Sequence, residues 1–309
     1  MIGVPATRLA WSRLDSYAGP RPTPEERVIS VTSLIAPPKI ARLKSLHRDE
    51  LPSTEPRYVD GRLVTPDTWA LFGTALHAAL EAAARLADPP PLLVEERLST
   101  TVTVEGNLWT VSGQLDVLEA DLTLWDWKST SSYSVSDGRK GKSEWECQLN
   151  TLSWLLARNG HPRPKKLAVW GFYRDWSRKM ASRPDNDYPE DDEGPVEVAH
   201  WSQDEQTDYV FERLALHEAA RTELPLCTPV ERWARDAGYA VLASAKAPRA
   251  AAVYDDKDTA ERYLAEVRGG KGVIEFRPGT SNRCKDYCNV AGWCHQWQLE
   301  KMKKGLDTA

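Results

Sequence analysis

The pattern of apolar and polar positions predicts a chain in which helices and strands alternate. Apolar residues recur every three or four positions in four segments that are therefore expected to be helices: residues 40–46, 68–86, 143–159 and 202–223. Alternation or short β-branched and aromatic runs predict strands at residues 92–103, 108–119, 122–128 and 166–173. The short connections between the first three strands favour an antiparallel meander. This order of elements indicates a mixed α/β fold.

Three regions of the chain differ in composition. Residues 1–27 are polar and contain several prolines, which predicts an irregular lead-in. Residues 28–223 contain the long helices and strands and are expected to form the core domain. Residues 224–309 contain shorter elements and four of the five cysteines, and are expected to form a small mixed α/β segment with a metal module. Residues 185–193 hold six carboxylates and no base, which indicates a solvated loop.

Composition and charge narrow the class of protein. The 309 residues include 41% hydrophobic and 28% charged positions, as in ordinary folded proteins. No apolar run approaches the roughly 18 residues of a membrane span. The first residues also lack the apolar block of a secretory signal, so a cytoplasmic location without membrane contact is expected. Because the net charge is -5, any nucleic-acid site must be a local feature of the surface.

A charged pair on one strand is the most informative chemical feature. Side chains two apart on a strand share a face, so Asp126 and Lys128 project together while Trp125 and Trp127 lie on the other face. Asp116 lies on the predicted hairpin partner, which would bring two aspartates and a lysine together. Carboxylates hold hard divalent cations, and a lysine can orient water in phosphodiester hydrolysis. The simpler alternative is a surface hairpin with an Asp–Lys ion pair.

The residues around this pair extend the pattern. In chain order, the set comprises Gly73-x3-His77, Glu95 or Glu96, Gly113-x2-Asp116, Asp126-x-Lys128 and Gln148. This set resembles the PD-(D/E)XK nuclease superfamily, specifically its RecB-like exonuclease branch, which includes phage-encoded and CRISPR-adaptation nucleases. The resemblance covers about residues 30–175. It implies a restriction-endonuclease-like core, in which helices flank a mixed central sheet.

The resemblance also implies a role for each matching residue. The implied metal ligands are His77, Asp116, Asp126 and the backbone carbonyl of Trp127. Lys128 is the implied catalytic lysine. A histidine among oxygen ligands suits Mn²⁺ as well as Mg²⁺.

Two positions of the resemblance are less well defined. Glu95 and Glu96 are adjacent, so a strand directs only one of them towards the site; Glu96 is the candidate, with the choice between them open. Gln148 is expected to support the site and the DNA, but Leu152 stands where the family motif Gln-x3-Tyr has its tyrosine.

The cysteines suggest a second metal centre. Cys284-x3-Cys288-x5-Cys294 places three thiols close together, and disulfides are rare in the cytoplasm. Cys227 is the better candidate for a fourth ligand, because Cys147 adjoins Gln148. The trio resembles that of RecB-like nucleases with a 4Fe-4S cluster, although the first gap is three residues where two is common. Zn²⁺ or simple thiols are the alternatives.

The expected function is that of a metal-dependent DNA exonuclease in phage-type DNA recombination, replication or processing. Its expected partners are DNA and proteins of replication or recombination. Two alternatives are a catalytically inactive DNA-binding or assembly subunit with a structural metal centre, and a zinc-stapled protein-interaction module. The polarity of digestion, the preference for single or double strands, exonuclease against endonuclease action and the oligomeric state are not determined by the sequence.

Overall fold

The computed structural model describes residues 23–48, 50–51, 57–59, 62–64, 68–136, 141–183 and 187–303. Most of the predicted lead-in, residues 1–22, and the start of the predicted acidic loop at Asp185 lie outside these residues. The chain divides into two compact units, Met1–Leu224 and Pro225–Ala309. The assignment of residues 28–223 and 224–309 to separate folding domains stays a prediction.

In the described part of the first unit there are six α-helices, three of which begin at a recognisable sequence signal. They are α1 (Val31–Ile35), α2 (Pro38–Leu46), α3 (Thr68–Ala84), α4 (Ser143–Arg158), α5 (Arg178–Ala181) and α6 (Gln203–Thr222). Ser30 caps α1 by accepting a hydrogen bond from the Ser33 N–H, and Pro38 begins α2, where its missing N–H costs nothing. Ser202 and Glu205 form a capping box at the start of α6. The four predicted helices are confirmed.

The strands of the first unit form two larger sheets and a hairpin. The strands are β1 (Val28–Ser30), β2 (Arg57–Val59), β3 (Arg62–Val64), β4 (Leu93–Val94), β5 (Arg97–Val104), β6 (Asn107–Gln114), β7 (Val117–Leu118), β8 (Thr123–Thr130), β9 (Lys166–Tyr173) and β10 (Glu193–Val198). One sheet has the order β1-β6-β5, the second has the order β10-β9-β8-β7-β4, and β2 pairs with β3. The pairs β1–β6 and β8–β9 are parallel, and the others are antiparallel.

The predicted three-stranded meander is wrong in one respect, because its first two strands each cross from one sheet to the other. The first breaks between β4 and β5 at Glu95, whose φ is +50°, and the second breaks between β6 and β7 at Leu115 and Asp116. The Glu95 N–H donates to the Asp116 carbonyl at 2.7 Å, and the Leu115 N–H donates to the Glu96 carbonyl at 3.0 Å. Both strands therefore bend at the same level, and acidic residues lie at the bend.

A close approach between helices and a strand fixes the core beside this bend. A Cβ atom at Gly113 on β6 would lie 2.7 Å from Val31 of α1 and 2.8 Å from Leu152 of α4. Leu152 is buried in the core, which accounts for an apolar residue where the family motif has tyrosine. Any larger residue at position 113 would push α1 and α4 away from the sheet.

One further prediction is corrected at the edge of the five-stranded sheet. The solvated loop predicted for residues 185–193 ends at Asp192, because Glu193 is the first residue of β10. Gly194 and Pro195 are rare inside strands, so the sequence pattern does not indicate one here, but an edge strand tolerates both residues. The strand pairs with β9 from Glu193 opposite Phe172 to Val198 opposite Leu167.

The second unit is built from short elements. Its strands are β11 (Ala234–Arg235), β12 (Gly238–Leu242), β13 (Ala250–Tyr254), β14 (Val273–Arg277) and β15 (Thr280–Ser281), and its helices are α7 (Lys257–Glu266) and α8 (His295–Lys303). The strands form a β13-β12-β14 sheet and a β11-β15 pair. A π-helical turn at Arg283–Tyr287 and a 3-10 turn at Ala291–Trp293 precede α8. Among the described residues, no helix is both long and apolar enough to cross a membrane.

Candidate active site

Strand β8 presents the predicted charged pair on one face. Asp126 is only 2% exposed, and its Oδ2 lies 2.6 Å from Lys128 Nζ. Gln148 on α4 donates from Nε2 to Asp126 Oδ1 at 2.8 Å. Both oxygens of this buried carboxylate therefore face groups that stabilise its negative charge. Asp126, Lys128 and Gln148 form one group, as the sequence predicts.

A second group lies where α3 faces the bend. His77 Nδ1 lies 3.6 Å from Glu95 Oε1 and 3.5 Å from Asp116 Oδ1. One ligand atom from each of the three residues falls within 4.8 Å of the others. Glu95 Oε1 is buried and accepts no hydrogen bond from the described part of the chain. An imidazole nitrogen and two carboxylate oxygens, one of them without a donor, fit a Mg²⁺ or Mn²⁺ ion.

The backbone of Trp127 joins the two groups. Its N–H donates to Asp116 Oδ2 at 2.6 Å, and its carbonyl accepts from His77 Nε2 at 2.8 Å. His77 therefore directs Nδ1 towards the carboxylates. The Trp127 carbonyl, predicted as a metal ligand, contacts His77, and Asp126 lies outside the group of three ligand atoms. The ligand roles of Trp127 and Asp126 stay predictions.

Of the two adjacent glutamates, Glu95 faces His77 and Glu96 does not. Glu96 is exposed, whereas Glu95 faces His77 and accepts a hydrogen bond from Gln114 Nε2 at 2.5 Å. The structure differs here from the expected Glu96, because Glu95 has a positive φ and the alternation of side chains along a regular strand does not apply there; the catalytic role of either glutamate stays a prediction. The sequence signal for this residue is the pair of adjacent glutamates at a strand break.

The charges of the site depend strongly on one another. Burial opposes protonation of His77, but the carboxylates of Asp116 and Glu95 raise its pKa to about 10. Burial raises the pKa of Asp126, and the Lys128 charge opposes this shift. Burial also works to lower the pKa of Lys128, yet Asp126 and Asp116 raise it above its ordinary value. A proton on His77 thus balances two carboxylates, and cation binding by these residues would release it.

The candidate cysteines all lie in the second unit. Cys227 and Cys294 are buried, and none of the five cysteines, all of which are described, forms a disulfide. The Gln296 side chain accepts from the Cys227 N–H and donates to the Cys227 carbonyl, both at 2.9 Å. Burial, followed by the nearby charges of Cys288 and Cys294, raises the pKa of Cys284 to about 11. Among the described residues, no cysteine belongs to a group of three metal-ligating side chains whose atoms lie within 4.8 Å of one another, so a common centre of the cysteines stays a prediction.

The fold and the site define a class of protein with paired carboxylates and a lysine on a mixed sheet. The family model of the PD-(D/E)XK nuclease superfamily matches residues 94–295, so the chain belongs to this superfamily. Nucleases of this superfamily use divalent metals. The matched range contains Asp116, Asp126, Lys128 and the four candidate cysteines, whereas His77 precedes it. The resemblance to the superfamily is thereby confirmed.

The chain is similar to several solved structures at low sequence identity. SSO0001 is 17% identical over 70% of this chain and 88% of that chain, with a TM-score of 0.45. LHK-Exo in complex with dAMP is 14% identical over 63% and 87%, with a TM-score of 0.36. The alkaline exonuclease LHK-Exo from Laribacter hongkongensis is 15% identical over 63% and 90%, with a TM-score of 0.35. No curated protein matches the chain.

Proposed function

We propose that the protein is a metal-dependent deoxyribonuclease of the RecB-like branch that hydrolyses phosphodiester bonds in DNA, acting as an exonuclease. The observation that carries the proposal is the position of the His77, Glu95 and Asp116 group beside the Asp126–Lys128 pair. Superfamily membership supports the same chemistry. The setting we propose is phage-type recombination, replication or processing of DNA in the cytoplasm, together with proteins of those processes.

The residues that would hold Mg²⁺ or Mn²⁺ are His77, Glu95 and Asp116, with Asp126 adjacent. A bound divalent cation supplies Lewis-acid stabilisation of a phosphoryl oxygen and lowers the pKa of water. The donor set favours this assignment, because a buried carboxylate oxygen without a hydrogen-bond donor is costly unless a cation or proton compensates it.

Lys128 supplies the second element of the chemistry. Its raised pKa keeps Nζ protonated at neutral pH, and Asp126 holds this ammonium 2.6 Å away on the same face of β8. A fixed positive charge at this point stabilises the negative charge that develops on the phosphoryl group. Gln148 and the Trp127 N–H orient the two aspartates, and the oriented Asp126 holds Lys128 Nζ in place.

We further propose that Cys227, Cys284, Cys288 and Cys294 hold a 4Fe-4S cluster, with Zn²⁺ as the alternative ion. The short spacing of Cys284, Cys288 and Cys294 along the chain and the Gln296 hydrogen bonds to Cys227 support a common centre. Its role would be structural, because metal-ligand bonds stabilise a segment that buries little apolar surface.

The experiment that tests the nuclease proposal is cleavage of end-labelled DNA in the presence of Mg²⁺ or Mn²⁺. We expect the wild-type protein to digest linear DNA and to leave circular DNA and end-blocked DNA intact. Lys128→Ala and Asp116→Asn should each lower the rate by about 100- to 1,000-fold, because each removes charge stabilisation. Lys166→Ala is the matched control, since this exposed lysine lies on the neighbouring strand β9. Undiminished cleavage by both variants would contradict the proposal, and cleavage of circular DNA would favour endonuclease action.

A further inference from the structure

Exposed aromatic side chains lie on elements that lead to the candidate active site. Trp69 and Phe72, near the start of α3, are 52% and 40% exposed, and their rings meet edge to face with centroids 6.2 Å apart. Tyr133 is 57% exposed on the 3-10 turn Ser132–Ser134, which follows β8. Large aromatic rings that remain at the surface are common in binding sites and uncommon elsewhere.

Positive side chains accompany these rings. The Arg174 guanidinium carbon lies 4.6 Å from the centroid of the Trp69 ring. Lys142 lies at the surface, with part of its side chain covered. This partial burial lowers its pKa, Glu144 opposes the shift, and the charges of Arg174 and Lys128 add to it. The charges of Arg174 and Lys128 both act on Lys142, and an anionic ligand would be attracted to these positive side chains.

Backbone contacts connect this region to the catalytic groups. Arg174 follows β9, and its N–H donates to the Thr130 carbonyl at the end of β8 at 2.9 Å. Lys128 precedes Thr130 by two residues, or about 7 Å of strand. Trp69 precedes His77 by eight residues of one helix, or about 12 Å. These two distances correspond to about two to four nucleotides of a stacked DNA strand, in which each nucleotide adds about 3.4 Å.

We propose that Trp69, Phe72, Tyr133, Lys142 and Arg174, here called the aromatic–basic surface, bind the unpaired bases and the phosphates of single-stranded DNA beside the reacting phosphodiester. The inference rests on the proposed function and names its substrate. The rings stack on bases and the cations contact phosphates. Single strands are the occupant because the base faces in a duplex are covered by neighbouring base pairs, whereas those of a single strand are open to aromatic rings.

The test is equilibrium binding of two labelled DNA probes, measured by fluorescence anisotropy without added divalent metal. One probe is an oligothymidylate of about 12 nucleotides, and the other is a hairpin duplex of similar length. Trp69→Ala should weaken binding of the oligothymidylate by about 5- to 100-fold and binding of the duplex by less than about 2-fold. Phe276→Ala is the control, because Phe276 is an exposed ring of the second unit and should leave both affinities unchanged.

Conservative variants separate stacking from a loss of structure. Trp69→Phe should restore oligothymidylate binding to within about 3-fold of the wild type, because the smaller ring still stacks. Arg174→Ala should weaken binding of both probes and reduce the salt dependence, since it removes a phosphate contact. Unchanged oligothymidylate affinity in Trp69→Ala, or equal losses for both probes, would overturn the proposal. Binding as expected in a protein that cleaves no DNA would contradict the nuclease proposal and leave this surface supported.

Discussion

The two units of the chain keep their candidate sites in place by different means. In the first unit, a contiguous apolar core runs from Ile29 to Leu214 in sequence and underlies both larger sheets. In the second unit, the buried apolar side chains larger than valine among the described residues are those of Leu242 and Trp297. A large core stabilises a fold through burial alone, whereas a small one needs additional links. The proposed cysteine centre is such a link.

Because of this difference, the candidate catalytic residues of the first unit and the cysteines of the second unit are expected to have different roles. The first unit can keep a buried Asp126 beside Lys128, and a buried Glu95 Oε1 that no described residue donates to, because the core holds the sheet regardless of the site. The second unit has its cysteines at turns between short elements, where they can hold the chain together. Substitutions at the first site should therefore change activity, and substitutions at the second should change structure.

The largest effect is expected for loss of the cysteine centre. Cys284→Ser removes one of the four proposed ligands, and we expect it to reduce the stability of the second unit by more than about 4 kcal/mol. Hydrogen exchange should show lost protection in peptides from β12 to β14, with peptides from β6 and β8 unchanged. Cys147→Ser, at a cysteine outside the proposed centre, is the control.

The metal content of the same samples tests the kind of centre. A protein prepared without oxygen should be brown, with a broad visible absorption band and bound iron. A colourless protein with stoichiometric zinc would select the alternative ion. Unchanged hydrogen exchange in Cys284→Ser, together with no bound metal, would contradict the structural role of the cysteines.

A smaller effect is expected for His217, a buried titratable group of the first unit. Burial, with a smaller contribution from the nearby Arg213 charge, lowers its pKa to about 4, against the opposing effect of the hydrogen bond that Nε2 donates to the Leu34 carbonyl at 3.0 Å. Between about pH 6.5 and pH 4 the unfolded chain binds this proton and the folded chain does not. Stability is therefore present above the unfolded pKa and is lost as the pH falls, by about 2 kcal/mol between pH 7 and pH 5.

His217→Gln should remove this part of the pH dependence while keeping a donor for the Leu34 carbonyl. Urea unfolding at pH 7 and pH 5, followed by hydrogen exchange of peptides from α6, measures it. His161→Gln, at a partly exposed histidine after α4, is the control. An equal loss of stability on acidification in the wild type and in His217→Gln would show that His217 is not the titrating group.

Local sequence patterns predicted the parts of the fold and site that depend on local geometry. The period of a strand placed Asp126 and Lys128 on one face, and the family resemblance named Gln148, which contacts Asp126. Of the four tryptophans at apolar phases of these elements, Trp127, Trp145 and Trp154 are buried, while Trp125 is partly exposed and packs against Trp170.

Features that depend on tertiary structure were not predictable in the same way. The choice of Glu95 over Glu96 follows from a positive φ at a bend shared by two strands, which no local pattern specifies. Strand β10 is polar, contains Gly194 and Pro195, and is recognisable only by its pairing with β9. The group of His77 with Glu95 and Asp116 combines a residue of one helix with residues at two strand breaks, so sequence spacing alone could not define its geometry.

The smallest effect is expected for Gln296→Met, which tests how Cys227 is held near the cysteine trio. The change preserves the length of the side chain but removes both hydrogen bonds to the Cys227 backbone, at a cost of about 1–3 kcal/mol. Because Cys227 would then be less well positioned, the proposed centre should lose metal about 5- to 100-fold more readily to a chelator. Gln203→Met, at an exposed glutamine of α6, is the matched control. If Gln296→Met retains metal as well as the control does, Cys227 is not positioned as a ligand by Gln296, and the fourth ligand must be sought elsewhere in the chain.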